Sequence, residues 1–288
     1  MATTKTVFAP AKINLCLHVL GKRPDDYHEL AMLMQRVSLY DRLVISLEDR
    51  PGVRVRCDGL DLAPGEENIA SRAARRMLEL ADLEGGATIE LDKQIPVAAG
   101  LGGGSSDAAA VLMGLNDLLG ANLTRRQLMA EGARLGADVP FFIFGDTAWA
   151  TGVGDRLEKV PDLPPLWYVL VNPGVAVSTA WVYRNLGLTS PGEGARLPRF
   201  SVTPEGLAGL LHNDLEKVTA SRFPVIGEIK RHLLDLGASG ALMSGSGPTV
   251  FGVFGREEEA RKAAGALPCR PGWRVFVARA LRGPGAED

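Results

Sequence analysis

The sequence has few of the residues from which metal centres and covalent cross-links are built. Its three cysteines, Cys16, Cys57 and Cys269, lie far apart and form no C-x-x-C pair. Its four histidines are equally scattered, and no H-E-x-x-H spacing brings two of them together. We therefore expect reduced, structural cysteines and no metal site built from protein side chains.

Long apolar runs and an excess of positive charge are also missing. No apolar segment approaches the ~18 residues that a membrane-spanning helix needs. The first fifteen residues interrupt their apolar positions with Lys5, Lys12 and Asn14, unlike the apolar region of a secretory signal, so we expect a cytoplasmic protein. The net charge is −2 and no basic stripe is visible, which argues against a nucleic-acid partner.

What the sequence does have is a dense glycine run, IPVAAGLGGGSSDAAA, over residues 95–110. Ser105, Ser106 and Asp107 follow the glycines and are predicted to be the N-cap cluster of an amphipathic helix. A glycine loop that leads into a helix N-terminus favours a bound phosphate, because its N–H groups can approach an anion. The alternative is a flexible turn before a core helix. No lysine follows the glycines, so this is not a Walker-type loop.

The first half of the chain mixes strands with a few helices. Alternating apolar residues predict strands over residues 13–19, 35–48, 53–57 and 87–91, with His18 on a polar strand face rather than acting as a ligand. Helical spacing covers residues 67–81. Thr124 and Gln127 fit a capping box, which predicts the start of a further helix.

The Pro-rich segment 158–167, EKVPDLPPLW, predicts a domain boundary, so we expect domains at residues 1–160 and 161–288. Beyond it, an apolar strand, WYVLV, precedes helical segments at 178–186, 204–215 and 224–236. Strands near Ala241 and Val250, a helix over 256–266 and a strand over 274–280 complete the order. Apart from the extra helices this is βαββαβ, which predicts a ferredoxin-like α+β domain.

Three further features bear on chemistry. The segment SGSGPTVF, residues 244–251, is either a tight hairpin turn or a second ligand loop. Lys12 lies in an apolar, strand-like segment, where an unpaired ammonium is costly, so we expect an acidic partner. Asp138 in GADVPFF is the best candidate. Taken alone, Lys12 could be a snorkelling surface lysine and Asp138 a turn residue.

Three segments together resemble the motifs of the GHMP small-molecule kinases: APAKINLCLHVLGKRPDDYHEL, IPVAAGLGGGSSDAAA and SGSGPTVF. Three further segments are most similar in sequence to the branch that acts on a cytidylylated methylerythritol: DDYHEL, LGADVPFF and PGVAVSTAWVY. The resemblance implies a two-domain α+β fold, with a ribosomal-S5-like N-terminal domain that binds ATP, a ferredoxin-like C-terminal domain and an active site between them. It also implies ATP-dependent phosphorylation of the substrate's 2-hydroxyl in non-mevalonate isoprenoid biosynthesis.

The same resemblance assigns roles to individual positions. Asp138 would accept the hydroxyl proton, and Lys12 would orient Asp138 and stabilise charge. The ATP site would comprise Pro96, Gly100, Leu101, Gly102, Gly103, Gly104, Ser105, Ser106, Asn68 and Lys93. Tyr27 and Tyr183 would sandwich the cytosine beside His28, while Asn14 and Thr179 would contact the rest of the substrate. Mg²⁺ would be held mainly by ATP phosphates, water and Ser106.

Two other functions stay open at this point. A kinase of the same superfamily that acts on mevalonate, phosphomevalonate or homoserine would share the glycine loop but would not need Tyr27 and Tyr183. A non-catalytic binding protein could retain the fold. The presence of Lys12, Asp138 and the complete loop argues against the second.

Overall fold

The structure is a computed structural model that describes residues 3–57, 67–160, 163, 165–187 and 203–283. None of the helices in those ranges is both long enough and apolar enough to cross a membrane. The chain divides into two compact units. The first contains Met1–Ala11, Tyr40–Val97 and Gly102–Gly145, and the second contains Lys12–Leu39, Ala98–Leu101 and Asp146–Asp288. The predicted boundary between residues 160 and 161 stays a prediction.

Eight elements precede residue 146, and the first two are long strands that contribute residues to both units. They are β1 (Thr4–Lys22), β2 (His28–Glu48), β3 (Gly52–Arg56), α1 (Ile69–Leu80), β4 (Gly86–Asp92), α2 (Gly103–Leu119), α3 (Arg125–Leu135) and α4 (Val139–Phe144). The predicted capping box is present at α3, where Thr124 and Gln127 bond each other's backbone N–H groups.

Within the first unit, the helices pack on a sheet in which β4 pairs with β2 antiparallel and with β3 parallel. Helices α1 and α2 contact each other, and both bury small side chains, among them Ala70 and Ala74 of α1 and Ala108 of α2. A methyl group at Gly114 of α2 would lie 2.7 Å from Cδ1 of Ile45 in β2. The glycine therefore lets α2 lie close against the sheet, where a side chain would clash.

The remaining elements belong to the second unit. They are β5 (Ala148–Gly152), β6 (Arg156–Lys159), β7 (Trp167–Asn172), α5 (Thr179–Arg184), α6 (Pro204–Ala208), β8 (His212–Asn213), α7 (Glu216–Arg222), α8 (Val225–Asp235), β9 (Gly240–Met243), β10 (Val250–Phe254), α9 (Glu257–Ala266) and β11 (Arg274–Arg279). Strand β5 pairs with β2 and β6, and β8 pairs with β1.

The predicted ferredoxin-like arrangement is present in this unit. Four antiparallel strands lie in the order β11-β7-β10-β9, with α8 and α9 packed against them. Strand β7 is buried from Tyr168 to Asn172, which explains why its sequence is an unbroken apolar run. The extra helices fall between the first and second strands of the βαββαβ order.

The predicted single helix over residues 204–215 is wrong, since α6 ends at Ala208 and His212–Asn213 form a strand parallel to β1. The side chain of Asn213 explains the difference. Its amide donates to the carbonyl oxygens of Met243 and Gly245 at 2.7 and 2.8 Å, and its Oδ1 accepts from Leu215 N–H. These bonds hold an extended backbone where the helical spacing of the sequence predicted a helix.

Candidate active site

The glycine loop forms a helix start that no side chain caps. Helix α2 begins at Gly103, and its N-cap residue is Gly102, whose φ of +70° is the left-handed conformation that glycine favours. The prediction that Ser105, Ser106 and Asp107 form the N-cap cluster is therefore wrong, because these residues lie inside the helix. The N–H groups of the first turn receive no side-chain cap, as an anion site requires.

Two buried polar groups follow in the first turns of α2. Ser106 is 1% exposed and Asp107 is 2% exposed. Within the described part of the chain, Ser106 Oγ and Asp107 Oδ1 have no hydrogen-bond partner. A buried polar atom without a partner is uncommon in a native protein, and a bound ligand is one explanation for it.

Lys93, predicted to lie near the nucleotide, is the centre of a buried ion cluster. Its ammonium donates to Asp107 Oδ2 at 2.8 Å and to Asp41 Oδ2. Asp41 Oδ1 in turn accepts from the N–H groups of Gln94 and Ile95 at 2.7 and 2.8 Å. The cluster fixes the chain that leads into the glycine loop, and Asp41 is a member that the sequence did not indicate.

The charges of this cluster do not balance, since two carboxylates share one ammonium. Burial, opposed by Lys93 and reinforced by Asp41, raises the pKa of Asp107 to about 7. Burial acts to lower the pKa of Lys93, but the two carboxylates outweigh it and raise that pKa. Asp107 is therefore the group of the cluster that changes charge near neutral pH.

Asn68 and Asp138 also lie at helix starts of the first unit. Asn68 is the N-cap of α1, and its Oδ1 accepts from Ala70 N–H at 2.8 Å. Asp138 is the N-cap of α4, but its side chain makes no capping hydrogen bond to that helix. Ile69 joins the starts of α1 and α2, because a Cβ on Gly104 would lie 3.5 Å from its Cγ2. Because it makes no capping hydrogen bond, the carboxylate of Asp138 is not bound to the backbone of α4.

In the second unit, Lys12 is buried rather than snorkelling at the surface. It is 5% exposed, and its ammonium donates to Asn14 Oδ1 at 2.6 Å. Asn14 is fully buried, and its N–H donates to Ser244 Oγ at 3.3 Å. Two residues predicted to belong to the site therefore lie side by side, which excludes the surface-lysine alternative.

The second glycine-rich segment is a hairpin loop that also contacts residues 98–100. It joins β9 to β10, and Ser244 N–H donates to the Thr249 carbonyl at 2.9 Å. Ser244 Oγ donates to the Gly100 carbonyl at 2.9 Å, and Thr249 N–H donates to the Ala99 carbonyl at 3.3 Å. The hairpin alternative is confirmed, and Ser244 is a contact that sequence reasoning missed.

The residues predicted to hold the second substrate also lie in this unit. Tyr183 stacks on His28, with ring centroids 4.7 Å apart and an angle of 28° between the rings. Burial and the nearby Lys22 lower the pKa of His28, which favours its neutral ring. The hydroxyl of Thr179 lies 2.8 Å from that of Ser246 in the hairpin loop. Tyr27 is 62% exposed.

Known protein families match both units of this arrangement. The model of the GHMP kinases N terminal domain matches residues 68–146, and that of the GHMP kinases C terminal domain matches residues 203–272. A 4-diphosphocytidyl-2-C-methyl-D-erythritol kinase from Syntrophotalea carbinolica is 63% identical over 95% of this chain and 98% of its own. The chain belongs to the GHMP kinase family. The predicted membership is thereby confirmed.

Other relatives of this GHMP kinase also match it over nearly the whole chain. A kinase of the same name from Geobacter metallireducens is 55% identical over 96% of this chain and 98% of its own. A crystal structure of 4-(cytidine 5'-diphospho)-2C-methyl-D-erythritol kinase superposes with a TM-score of 0.81 at 40% identity, over 98% of this chain and all of the other. A homoserine kinase from Cytophaga hutchinsonii superposes with a TM-score of 0.70 over 98% of this chain and 97% of its own. At 24% identity it shares the fold alone. The predicted two-domain fold is confirmed.

Proposed function

We propose that this GHMP kinase phosphorylates the 2-hydroxyl of 4-diphosphocytidyl-2-C-methyl-D-erythritol with ATP, a step of non-mevalonate isoprenoid biosynthesis. The observation that carries the proposal is the name shared by two relatives that are 63% and 55% identical over nearly their full lengths. The homoserine kinase and the mevalonate kinase of Methanococcus jannaschii are only 24% and 13% identical. Those alternative acceptors therefore have no support beyond the fold.

ATP is the phosphoryl donor that the family implies, and the start of α2 fits its phosphates. The uncapped first turn offers N–H groups and the positive end of the helix dipole. The Ser106 hydroxyl is buried without a partner and can serve as a ligand of the Mg²⁺ that accompanies ATP. Bound Mg²⁺ would neutralise phosphate charge during transfer.

We assign proton transfer to Asp138 and charge stabilisation to Lys12. The transfer forms a bond between the substrate's 2-oxygen and the γ-phosphorus, breaks the bond to ADP and moves the hydroxyl proton to Asp138. Asp138 makes no capping hydrogen bond to α4, so the start of that helix does not depend on its charge when it takes up the proton. Lys12 is held by Asn14 within a buried setting, where a positive charge acts strongly on developing negative charge.

The cytidine would be held by aromatic side chains of the second unit. Tyr183 and His28 already form an aromatic stack, which a cytosine would extend, with Tyr27 as the second half of the sandwich. Tyr27 is exposed and can take up that position without leaving a core. Asn14 and Thr179 are polar neighbours for the rest of the substrate.

The experiment is an ADP-release assay with four acceptors: the cytidylylated methylerythritol, mevalonate, phosphomevalonate and homoserine. We expect turnover with the first alone. Tyr183→Ala should weaken binding of this substrate by about 5- to 150-fold, since stacking on an aromatic ring is worth roughly 1–3 kcal/mol per base. Tyr183→Phe is the matched control, because it keeps the stacking face and should bind almost normally.

Calorimetric titration of both variants separates binding from turnover, and ATP affinity should be unchanged in each. Turnover of homoserine or mevalonate in preference to the cytidylylated alcohol would overturn the acceptor assignment. Absence of turnover with all four would favour the non-catalytic alternative. Normal binding by both Tyr183→Ala and Tyr27→Ala would overturn the aromatic sandwich alone.

A further inference from the structure

A second group of chemically reactive side chains lies in the second unit and contains none of the residues assigned to catalysis. His18, His212 and Asp214, here called the histidine cluster, each offer one ligand atom, and these atoms all lie within 4.8 Å of one another. In the described ranges, no other group of three His, Cys, Asp or Glu side chains is close enough to hold a metal ion. The proposed kinase mechanism uses none of the three.

Strand pairing explains why these residues meet. Strands β1 and β8 are parallel, with Cys16 opposite His212 and Leu17 opposite Asn213. Alternate residues of a strand point to the same face, so His18 and His212 share one face. Their rings are stacked with centroids 4.5 Å apart and 20° between the planes. The scattered histidines predict no metal site, since His18 and His212 lie 194 positions apart in the sequence. Only the strand pairing brings them together.

The carboxylate of the cluster is held in place by the backbone. Asp214 Oδ2 accepts from Val19 N–H at 2.7 Å, and Asp214 N–H donates to the Leu17 carbonyl at 3.1 Å. Its other oxygen, Oδ1, lies 2.6 Å from His212 Nε2. One oxygen of Asp214 is therefore fixed by β1, while the other faces the imidazole. Such a hydrogen bond to a metal-binding carboxylate orients it for the ion.

We propose that the histidine cluster binds a divalent transition-metal ion of Zn²⁺ chemistry through two imidazole nitrogens and one carboxylate oxygen. Zn²⁺ ligands lie about 2.0–2.2 Å from the metal, so two of them are about 3.3–3.6 Å apart in a tetrahedral site. The ligand atoms of the histidine cluster lie within 4.8 Å of one another. To bind one ion they must approach one another by roughly 1 Å, a shift that rotation of the side chains can supply. The side chains of His212 and Asp214 are 49% and 32% exposed, which gives them that freedom and leaves coordination positions for water.

The chemistry of the ligands separates this site from the Mg²⁺ that accompanies ATP. Imidazole suits Zn²⁺, Co²⁺ and Ni²⁺, whereas Mg²⁺ prefers an octahedron of oxygen atoms. The histidine cluster offers two nitrogens and one oxygen. Millimolar Mg²⁺ should therefore not compete for it.

The test uses the full-length chain without a histidine tag, titrated with ZnCl₂ by calorimetry in the presence of millimolar Mg²⁺. Co²⁺ in place of Zn²⁺ gives a visible absorption band that reports nitrogen ligands. We expect one equivalent to bind. His212→Gln and, separately, His18→Gln should weaken binding at least tenfold, since each removes one of three ligands.

His232→Gln is the matched control, because His232 is also half-exposed and lies near a carboxylate, Glu228, at 3.7 Å. It should bind Zn²⁺ like the unmodified protein. Far-UV circular dichroism verifies that each variant is folded, and the two cluster variants are independent of each other. The proposed site would be overturned if the unmodified chain bound no Zn²⁺. It would also be overturned if both cluster variants, shown to be folded, bound Zn²⁺ with the affinity of the unmodified chain.

Discussion

Replacing Asp107 with asparagine should change the pH dependence of stability in a defined direction. In the folded protein the pKa of Asp107 is raised from 3.8 to about 7, because the carboxyl is buried and shares Lys93 with Asp41. A carboxyl with a raised pKa binds its proton more tightly when folded. Its contribution to stability is therefore complete below about pH 4 and is lost as the pH rises towards 7.

The magnitude follows from the two pKa values. Each unit of difference corresponds to about 1.4 kcal/mol, and integration between about pH 5 and pH 8 gives a loss of roughly 2–3 kcal/mol for the unmodified chain. Asparagine has nearly the same shape as the protonated carboxyl and cannot ionise. The free energy of unfolding of Asp107→Asn, relative to the unmodified chain, should therefore rise by that amount over the same interval.

Urea unfolding at a series of pH values measures this difference, because titrating groups that the two proteins share cancel. Asp117→Asn is the matched control. Asp117 lies in the same helix, is exposed and pairs with Lys5, so its replacement should cost less than about 1 kcal/mol at any of these pH values. A difference between Asp107→Asn and the unmodified chain that stays constant from pH 5 to 8, or that falls, would refute the reasoning.

Two further predictions test the proposed catalytic and ATP-binding residues. Asp138→Asn should leave folding and ATP affinity intact but lower kcat by roughly 10²-fold or more, as expected for loss of a general base. Steady-state kinetics measure kcat, and a thermal melt shows whether the variant is folded. Near-normal turnover would remove Asp138 from the mechanism. Gly104→Ala should keep the free energy of unfolding or raise it by at most about 1 kcal/mol. Both Gly104→Ala and Ser106→Ala should weaken ATP binding, which calorimetry measures. Unchanged ATP affinity in both variants would contradict phosphate binding at the start of α2.

Much of the fold could be predicted from local sequence patterns. The βαββαβ order of the second half follows from the period and order of its apolar segments, and the capping box at Thr124 follows from two side chains three positions apart. The helix predicted over residues 204–215 fails because Asn213 bonds to Met243 and Gly245, which are distant in sequence. A local pattern contains no information about such a partner.

In the candidate site, too, the contacts between residues close in sequence could be predicted and those between distant residues could not. Lys12 and Asn14 are two positions apart on one strand, so the sequence could predict that they lie together. The buried ion cluster joins a residue of β2, Asp41, with Lys93, which follows β4, and with Asp107 of α2. Nothing in the spacing of these three residues predicts that they meet. His18 and His212 meet only because β8 adds to β1. Side chains that meet through tertiary pairing require the structure.

The glycine loop that first indicated a phosphate site has two glycines that packing alone explains. A Cβ on Gly100 would lie 2.1 Å from the Ser244 carbonyl oxygen, and one on Gly103 would lie 3.0 Å from Ile95 Cγ2 and 3.2 Å from Lys93 Nζ. These two positions must be small whether or not ATP binds, so Gly103→Val would disturb Lys93 as well as any phosphate. Gly104 differs, because it is exposed and its nearest neighbour would be Ile69 Cγ2 at 3.5 Å, an ordinary contact. Since the protein itself has room for a side chain there, the methyl group of Gly104→Ala should not disturb the fold. A loss of ATP affinity in this variant can therefore be attributed to contact between the methyl group and the bound phosphates.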